Sequence, residues 1–250
     1  MRTKLILLTE TMHLPSRIEP CPIIDAIIEI RFTSKINANA VFGILYGVLQ
    51  EDFKNVETLP ILQIPEVVRV SDPNLKYKPY YKISNEAIIT QIGPDVITIS
   101  SFPEYLGWKD FSQRIFKILN KIITTGIFEK IERLGIRYIN FFETEIFNKV
   151  NLSVTLNSNN INLKNTIVRT EIEQESFTST LQIANNVNIN QKFGSIIDID
   201  TFTTFNLETF FEEKEKIINS GHDKEKELFF KLLKSEFLKS LNPQYLDGYN

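Results

Sequence analysis

Eight ionisable side chains fall on stretches that alternate as β-strands do: Asp25, Glu29, Arg31, Arg133, Arg137, Arg169, Glu171 and Glu173. Successive strand residues point to opposite faces, so Glu29 and Arg31 share one face, as do Arg133 and Arg137. Arginine presents a rigid fork of donors suited to carboxylates and phosphates. Arg31, Arg133, Arg137, Arg169, Glu29 and Glu171 are therefore the candidate binding residues. Three roles fit them: a solvated sheet face whose cross-strand ion pairs contribute little, a polar recognition surface, or a network buried between two halves. Asp198 and Asp200 also share a strand face. Paired carboxylates can hold magnesium or calcium, and Glu171 or Glu173 could complete such a site. The competing reading makes them the outer face of a strand whose Ile197 and Ile199 point to the core.

Other chemistries find little support. The two histidines, His13 and His222, are remote in sequence and belong to no metal-binding pattern. Cys21 is the single cysteine, flanked by Pro20 and Pro22. It can form no internal disulfide and has no basic neighbour to activate its thiolate. There is no Gly-x-x-x-x-Gly-Lys-Ser/Thr and no Gly-x-Gly-x-x-Gly, and the chain has only 9 glycines. Phosphate-cradling loops of the common kinds are thus excluded. No catalytic residue and no cofactor is assigned.

The elements that must position these residues follow from periodicity. Residues 23–33 alternate, with Ile24, Ala26, Ile28, Ile30 and Phe32 on an apolar face. Residues 39–53 have helical spacing, with Asn39 as the expected cap. The proline-rich stretch 60–79 is expected as a loop with a short strand at Val67–Val70. Short strands follow at 80–84, 87–92 and 96–101. A helix runs from Trp108 to Thr124, with Phe111, Ile115, Leu119 and Ile122 inward and Gly126 at its end. A long strand over 128–143 opens the second half. Strands near 150–156, 166–174, 177–184 and 195–205 come next. Asn206 caps a helix over 207–218, and Ser220-Gly221-His222-Asp223 is expected to open a separate final helix to Leu241. Of the adjacent pairs Phe210-Phe211 and Phe229-Phe230, both members are not expected to face inward equally well.

This order implies an α+β fold of two related halves, each an antiparallel sheet packed against amphipathic helices. Residues 1–20 form an irregular leader, 21–127 the N-terminal half and 128–250 the C-terminal half. The 250 residues, 42% hydrophobic and 24% charged, are ordinary for a globular protein. By half, 14 basic and 13 acidic residues give +1 for 1–127, and 14 and 18 give −4 for 128–250. Neither half has the basic excess of a nucleic-acid binder. No apolar run reaches the length of a membrane helix, and the run Leu5–Leu8 is too short for a signal peptide. A cytoplasmic protein is expected.

Three segments together resemble a sporadically distributed family of bacterial proteins of about this length. Pro22-Ile23-Ile24-Asp25-Ala26-Ile27-Ile28-Glu29-Ile30-Arg31-Phe32 is similar to its opening motif, with Asp25 in place of the usual glutamate. Arg133-Leu134-Gly135-Ile136-Arg137-Tyr138-Ile139-Asn140 resembles its central motif, and the strand bearing Asp198 and Asp200 a third. Trp108 followed by Phe111 also fits the family's layout. The likeness spans roughly residues 20–240. It implies an accessory bacterial gene of the kind found in phage-defence or toxin–antitoxin loci. The leading expectation is a non-enzymatic interaction protein: a defence component, toxin neutraliser or chaperone-like binder whose partner is another protein encoded nearby. A homodimer is compatible with it. The alternatives are a metal-dependent enzyme acting on phosphodiesters and a nucleotide or nucleic-acid binding module.

Overall fold

The first long element, β1 (Ile23–Ser34), shows why the sheet has one wet and one dry side. Ala26, Ile28 and Ile30 are 1% exposed and Phe32 is fully buried, whereas Glu29 and Arg31 between them lie on the other face. Ile24, at the start of the same apolar row, is half exposed. The computed structural model describes residues 14–157, 159–160 and 163–245. His13 and most of the expected leader lie outside them.

The remaining elements in chain order are α1 (Ala38–Leu49), β2 (Asn55–Thr58), α2 (Glu66–Ser71), β3 (Tyr81–Ser84), β4 (Ile88–Ile92), β5 (Val96–Ser101), α3 (Trp108–Ile123) and β6 (Phe128–Phe142). Then come β7 (Thr155–Leu156), β8 (Asn159–Asn160), β9 (Ile167–Gln174), β10 (Phe177–Ile189), β11 (Lys192–Thr203), α4 (Leu207–Leu232) and α5 (Ser235–Ser240). The fold is thus α+β and antiparallel. Hydrogen-bonded neighbours follow the order β2-β3-β4-β5-β1-β6 and then β6-β11-β10-β9, with β7 and β8 pairing separately.

Two compact units share these elements, and each is discontinuous in sequence. One comprises Asp25–Ile136 and Phe202–Ser220. Its strands pair antiparallel, with Glu29 opposite Thr98 and Thr98 opposite Gln91. Its dry face is covered by α1, through Val41, Leu45 and Leu49, and by α3, through Phe111, Ile115, Leu119 and Ile122. Each such aliphatic or aromatic side chain contributes about 1.5–3 kcal/mol on burial. Lys117 and Lys121 of α3 clasp Asp52, just beyond α1, at 2.7 and 2.8 Å. The N-cap of α1 is Asn37, whose side chain accepts from the backbone of Asn39, two residues before the expected cap. Gly126 ends α3 at φ +64°, the left-handed conformation that glycine adopts freely.

The other unit comprises the described chain up to Ile24, Arg137–Thr201 and the chain from Gly221 onward. Ile183, Ile197 and Ile199 of the sheet pack against Leu228, Phe229, Phe230, Leu232 and Leu233 of the helical end. A two-residue turn at Asn190-Gln191, both at positive φ, joins β10 to β11.

Several expectations come out differently, and of the strand expected near 150–156 only Thr155–Leu156 forms one. Val67–Val70 lies in the short helix α2, because Pro65 starts a helical turn whose carbonyl accepts from Val68 and Arg69. The predicted break at Ser220-Gly221-His222-Asp223 is absent: α4 continues through it, with His222 and Glu225 on its buried stripe. Phe229 and Phe230 are both buried, at 5% and 6% exposure. The backbone at Val150 and Asn151 runs beside Leu232 and Leu233, so this end of the helix is enclosed on more than one side.

Candidate functional site

In the 25–136 unit the charged face of β1 gathers a polar network. Glu29 stands at its centre: its Oε1 accepts from Arg31 Nε and from Arg133 Nη1, both at 2.7 Å. The exposure of the side chains is 32% for Arg31, 23% for Glu29 and 13% for Arg133, so the bonds are partly shielded from water. Each guanidinium also rests on an aromatic ring. Arg31 Cζ lies 4.6 Å from the centre of Tyr77, and Arg133 Cζ lies 4.4 Å from that of Phe202. Such stacking adds attraction and fixes the plane of the fork.

The network extends through Tyr77. Its hydroxyl donates to Glu132, which also accepts from Lys76 Nζ at 3.1 Å. The tyrosine hydroxyl and then the lysine hold the Glu132 carboxyl below the usual carboxylate range, against the opposing pull of burial. Burial, followed by the bond to Glu132, pushes Tyr77 up, and burial likewise raises Asp95. Glu132 and Arg133 are sequence neighbours that reach the same network. Ile131 and Leu134 are both buried although three apart, so the two-residue period of β6 slips here, as an extra residue in a strand makes it do.

The 137–201 unit holds a second arrangement. Arg137 grips Asp198 in a bidentate pair, Nε to Oδ1 at 2.8 Å and Nη2 to Oδ2 at 2.6 Å. Ile197 and Ile199 on either side of Asp198 are fully buried. One guanidinium thus engages both oxygens of the carboxylate that a metal would need. Asp200 is half-buried two residues on. Glu171 and Arg169 lie exposed on β9, opposite Thr180 and Gln182, with β10 between them and β11. Among the described residues no three His, Cys, Asp or Glu side chains are grouped to hold a metal ion. Of the candidate residues, then, Glu29, Arg31 and Arg133 come together and Arg137 meets Asp198.

Two features had little sequence signal. Tyr77 and Lys76 sit in the proline-rich stretch, where no periodicity marks them. A buried polar group in the 137–201 unit joins helix to sheet: Tyr138 and His222 Nδ1 are 3.0 Å apart, and His222 and Glu225 are 9% and 4% exposed. Burial, reinforced by nearby Lys226, lowers His222 to about 3, so its ring is neutral and Nδ1 can accept the Tyr138 proton. Burial also drives the Glu225 carboxyl well above its ordinary range. The spacing Ile218, His222, Glu225, Phe229 could have exposed this group, since it places both titratable residues on an apolar helical stripe.

No known protein family model matches the chain, and no curated protein matches it.

Proposed function

We propose that the chain is a cytoplasmic, non-enzymatic interaction protein of a bacterial accessory locus. It would bind a protein encoded nearby as a defence component, toxin neutraliser or chaperone-like binder, and belong to the sporadically distributed family its motifs resemble. The observation that carries the reading is the Glu29–Arg31–Arg133 arrangement stacked on Tyr77 and Phe202. Arginine and aromatic residues dominate the energetics of protein interfaces. Here they are held in place before any partner arrives, which lowers the entropy lost on binding. The site lies along the charged face of a strand, a setting in which arginine and aromatic side chains suit a protein surface.

The finer architecture belongs to the same proposal: residues 21–127 and 128–250 are related halves. Each opens on a long charged strand, β1 or β6, and later carries an amphipathic helix, α3 or α4.

The test is affinity purification of the tagged chain from its native host, followed by hydrogen exchange of the complex. A stoichiometric partner that protects the amides of β1, β5 and β6, and whose binding weakens on Arg31→Glu, supports the proposal. A partner that protects other segments and ignores Arg31→Glu overturns this site. Recovery of the chain without any partner overturns the function.

A further inference from the structure

The strand β9 (Ile167–Gln174) ends the order β6-β11-β10-β9, and among the described residues it pairs with β10 alone. Sheet edges are commonly blunted by shortness, proline, lysine or a bulge, because an unprotected edge is a template for another strand. β9 has none of these devices. It is 8 residues long, against 4 for β2, and contains no proline, no lysine and no residue at positive φ.

Side chains and backbone both alternate along it. Ile172 is 7% exposed in the apolar cluster of its unit, and Val168 packs against that cluster. Ile167, Arg169, Glu171 and Glu173 are exposed on the other face. Asn185 donates from its backbone N–H to the Thr166 carbonyl at 3.1 Å, which fixes the phase of the ladder between β9 and β10. Alternate residues of an antiparallel strand bond to the same neighbour, so Val168, Thr170 and Ile172 turn their backbone groups to β10, and Arg169 and Glu171 turn theirs outward. Neither of these two ions has an opposite charge across from it on β10: Arg169 stands opposite Gln182 and Glu171 opposite Thr180.

We propose that β9 is a dimerisation edge and that its occupant is β9 of a second copy of this chain, paired antiparallel about a two-fold axis at Thr170. Charge complementarity selects both the occupant and the register. With Thr170 opposite its own copy, Arg169 of each chain falls opposite Glu171 of the other. These positions are two apart, so their side chains share one face of the strand, and a two-fold axis perpendicular to the joined sheet keeps that face in common. Two reciprocal ion pairs result, as an isologous interface requires. Arg169 and Glu171 also turn their N–H and C=O groups outward, so they form hydrogen-bonded pairs of the new ladder. On the inner face Val168 meets Ile172 of the other copy, which carries the apolar row across the junction. Sliding by two residues sets Arg169 opposite Arg169 or Glu171 opposite Glu171, and sliding by one mismatches the faces. This inference concerns β9 alone and does not depend on the partner proposed above, whose site lies on β1 and β6.

Sedimentation velocity of the full chain tests it. A junction of one strand is small, so the expected result is a single chain at low micromolar concentration and a reversible species of twice 29.0 kDa at high micromolar. Arg169→Glu or Glu171→Arg alone turns both ion pairs into repulsions and weakens the dimer about tenfold. The double exchange reverses each pair without abolishing it, and restores association to within about threefold of the original. Circular dichroism stays unchanged in all three variants, because both sites are exposed. In hydrogen exchange of the parent chain, the amides of Arg169 and Glu171 become protected only at the high concentration, whereas that of Thr170 is protected at both. A monomer at every concentration overturns the proposal. So does a dimer that ignores the charge exchanges or leaves the Arg169 and Glu171 amides unprotected, which places the contact elsewhere.

Discussion

At the residue scale, His222 and Glu225 make the sharpest prediction because their titrations act in opposite directions. His222 has a folded-state value of about 3 against an ordinary 6.5. Its contribution is fully present above pH 6.5 and is lost as pH falls toward 3. Glu225 is raised above its ordinary 4.5. Its contribution is fully present below pH 4.5 and is lost as pH rises. Above pH 4.5 the two slopes therefore oppose one another, the histidine favouring stability as pH rises and the glutamate disfavouring it. Urea denaturation of Glu225→Gln against the parent should show a stability difference growing by about 1.4 kcal/mol per pH unit above 4.5, until the buried acid itself ionises. Asp223 and Lys226, which flank Glu225 on the helix, should alter the size of this effect but not its direction. A pH-independent difference would mean that Glu225 is already ionised in the fold. Arg133→Ala leaves the partly shielded Glu29 with one fewer donor, and a loss of about 1–3 kcal/mol in the same assay is expected. Arg169→Ala, on exposed β9, should change stability by less than about 0.5 kcal/mol.

At the element scale, the pairing of β6 with β11 leaves no room for a side chain at Gly194. A Cβ there would meet the carbonyl oxygen of Phe142 and the ring of Phe141. Backbone cannot retreat as a flexible side chain can, so Gly194→Ala should destabilise by about 2 kcal/mol or more, read as a lowered melting temperature. The strands and helices that read correctly from sequence are those whose own period settles their state. β1 alternates cleanly, α3 repeats at helical spacing, and Gly126 and Asn206 mark the end of one helix and the start of another. The elements that did not read correctly lack that property. Val67–Val70 is β-branched and suggested a strand, but it faces solvent in a helical turn begun after Pro65. Ser220-Gly221-His222-Asp223 has capping residues, yet packing of the helix on both sides of it carries α4 straight through.

At the scale of the whole molecule, each compact unit is stitched from separate stretches of chain. The 25–136 unit needs Phe202–Ser220, which supplies fully buried Phe210, the ring beneath Arg133, and the Asn219 carbonyl that accepts from Trp108 Nε1 at 3.0 Å. Residues 1–136 expressed alone should therefore lack a cooperative unfolding transition in circular dichroism, and adding the remaining segment back in the intact chain should restore it. A sharp transition in the fragment would show that Phe210 and its neighbours are dispensable. Among the described residues no helix is long and apolar enough to cross a membrane.

The sequence by itself determined the α+β class, the long charged strands and the faces on which their ions lie. These are local consequences: a period of two sorts every strand residue to one side or the other, whatever the rest of the chain does. It also singled out Glu29, Arg31, Arg133, Arg137 and Asp198. Only the tertiary structure decided which of them meet. Arg133 finds Glu29 across 104 residues of chain, and Arg137 finds Asp198 across 61. Such pairings depend on strand order and register, which no single strand encodes. The same holds for Tyr77, His222 and Glu225. Their partners arise from being buried or stacked against distant elements: the helical stripe through His222 and Glu225 marks their burial, but only the fold sets Tyr138 against His222 and Tyr77 beneath Arg31.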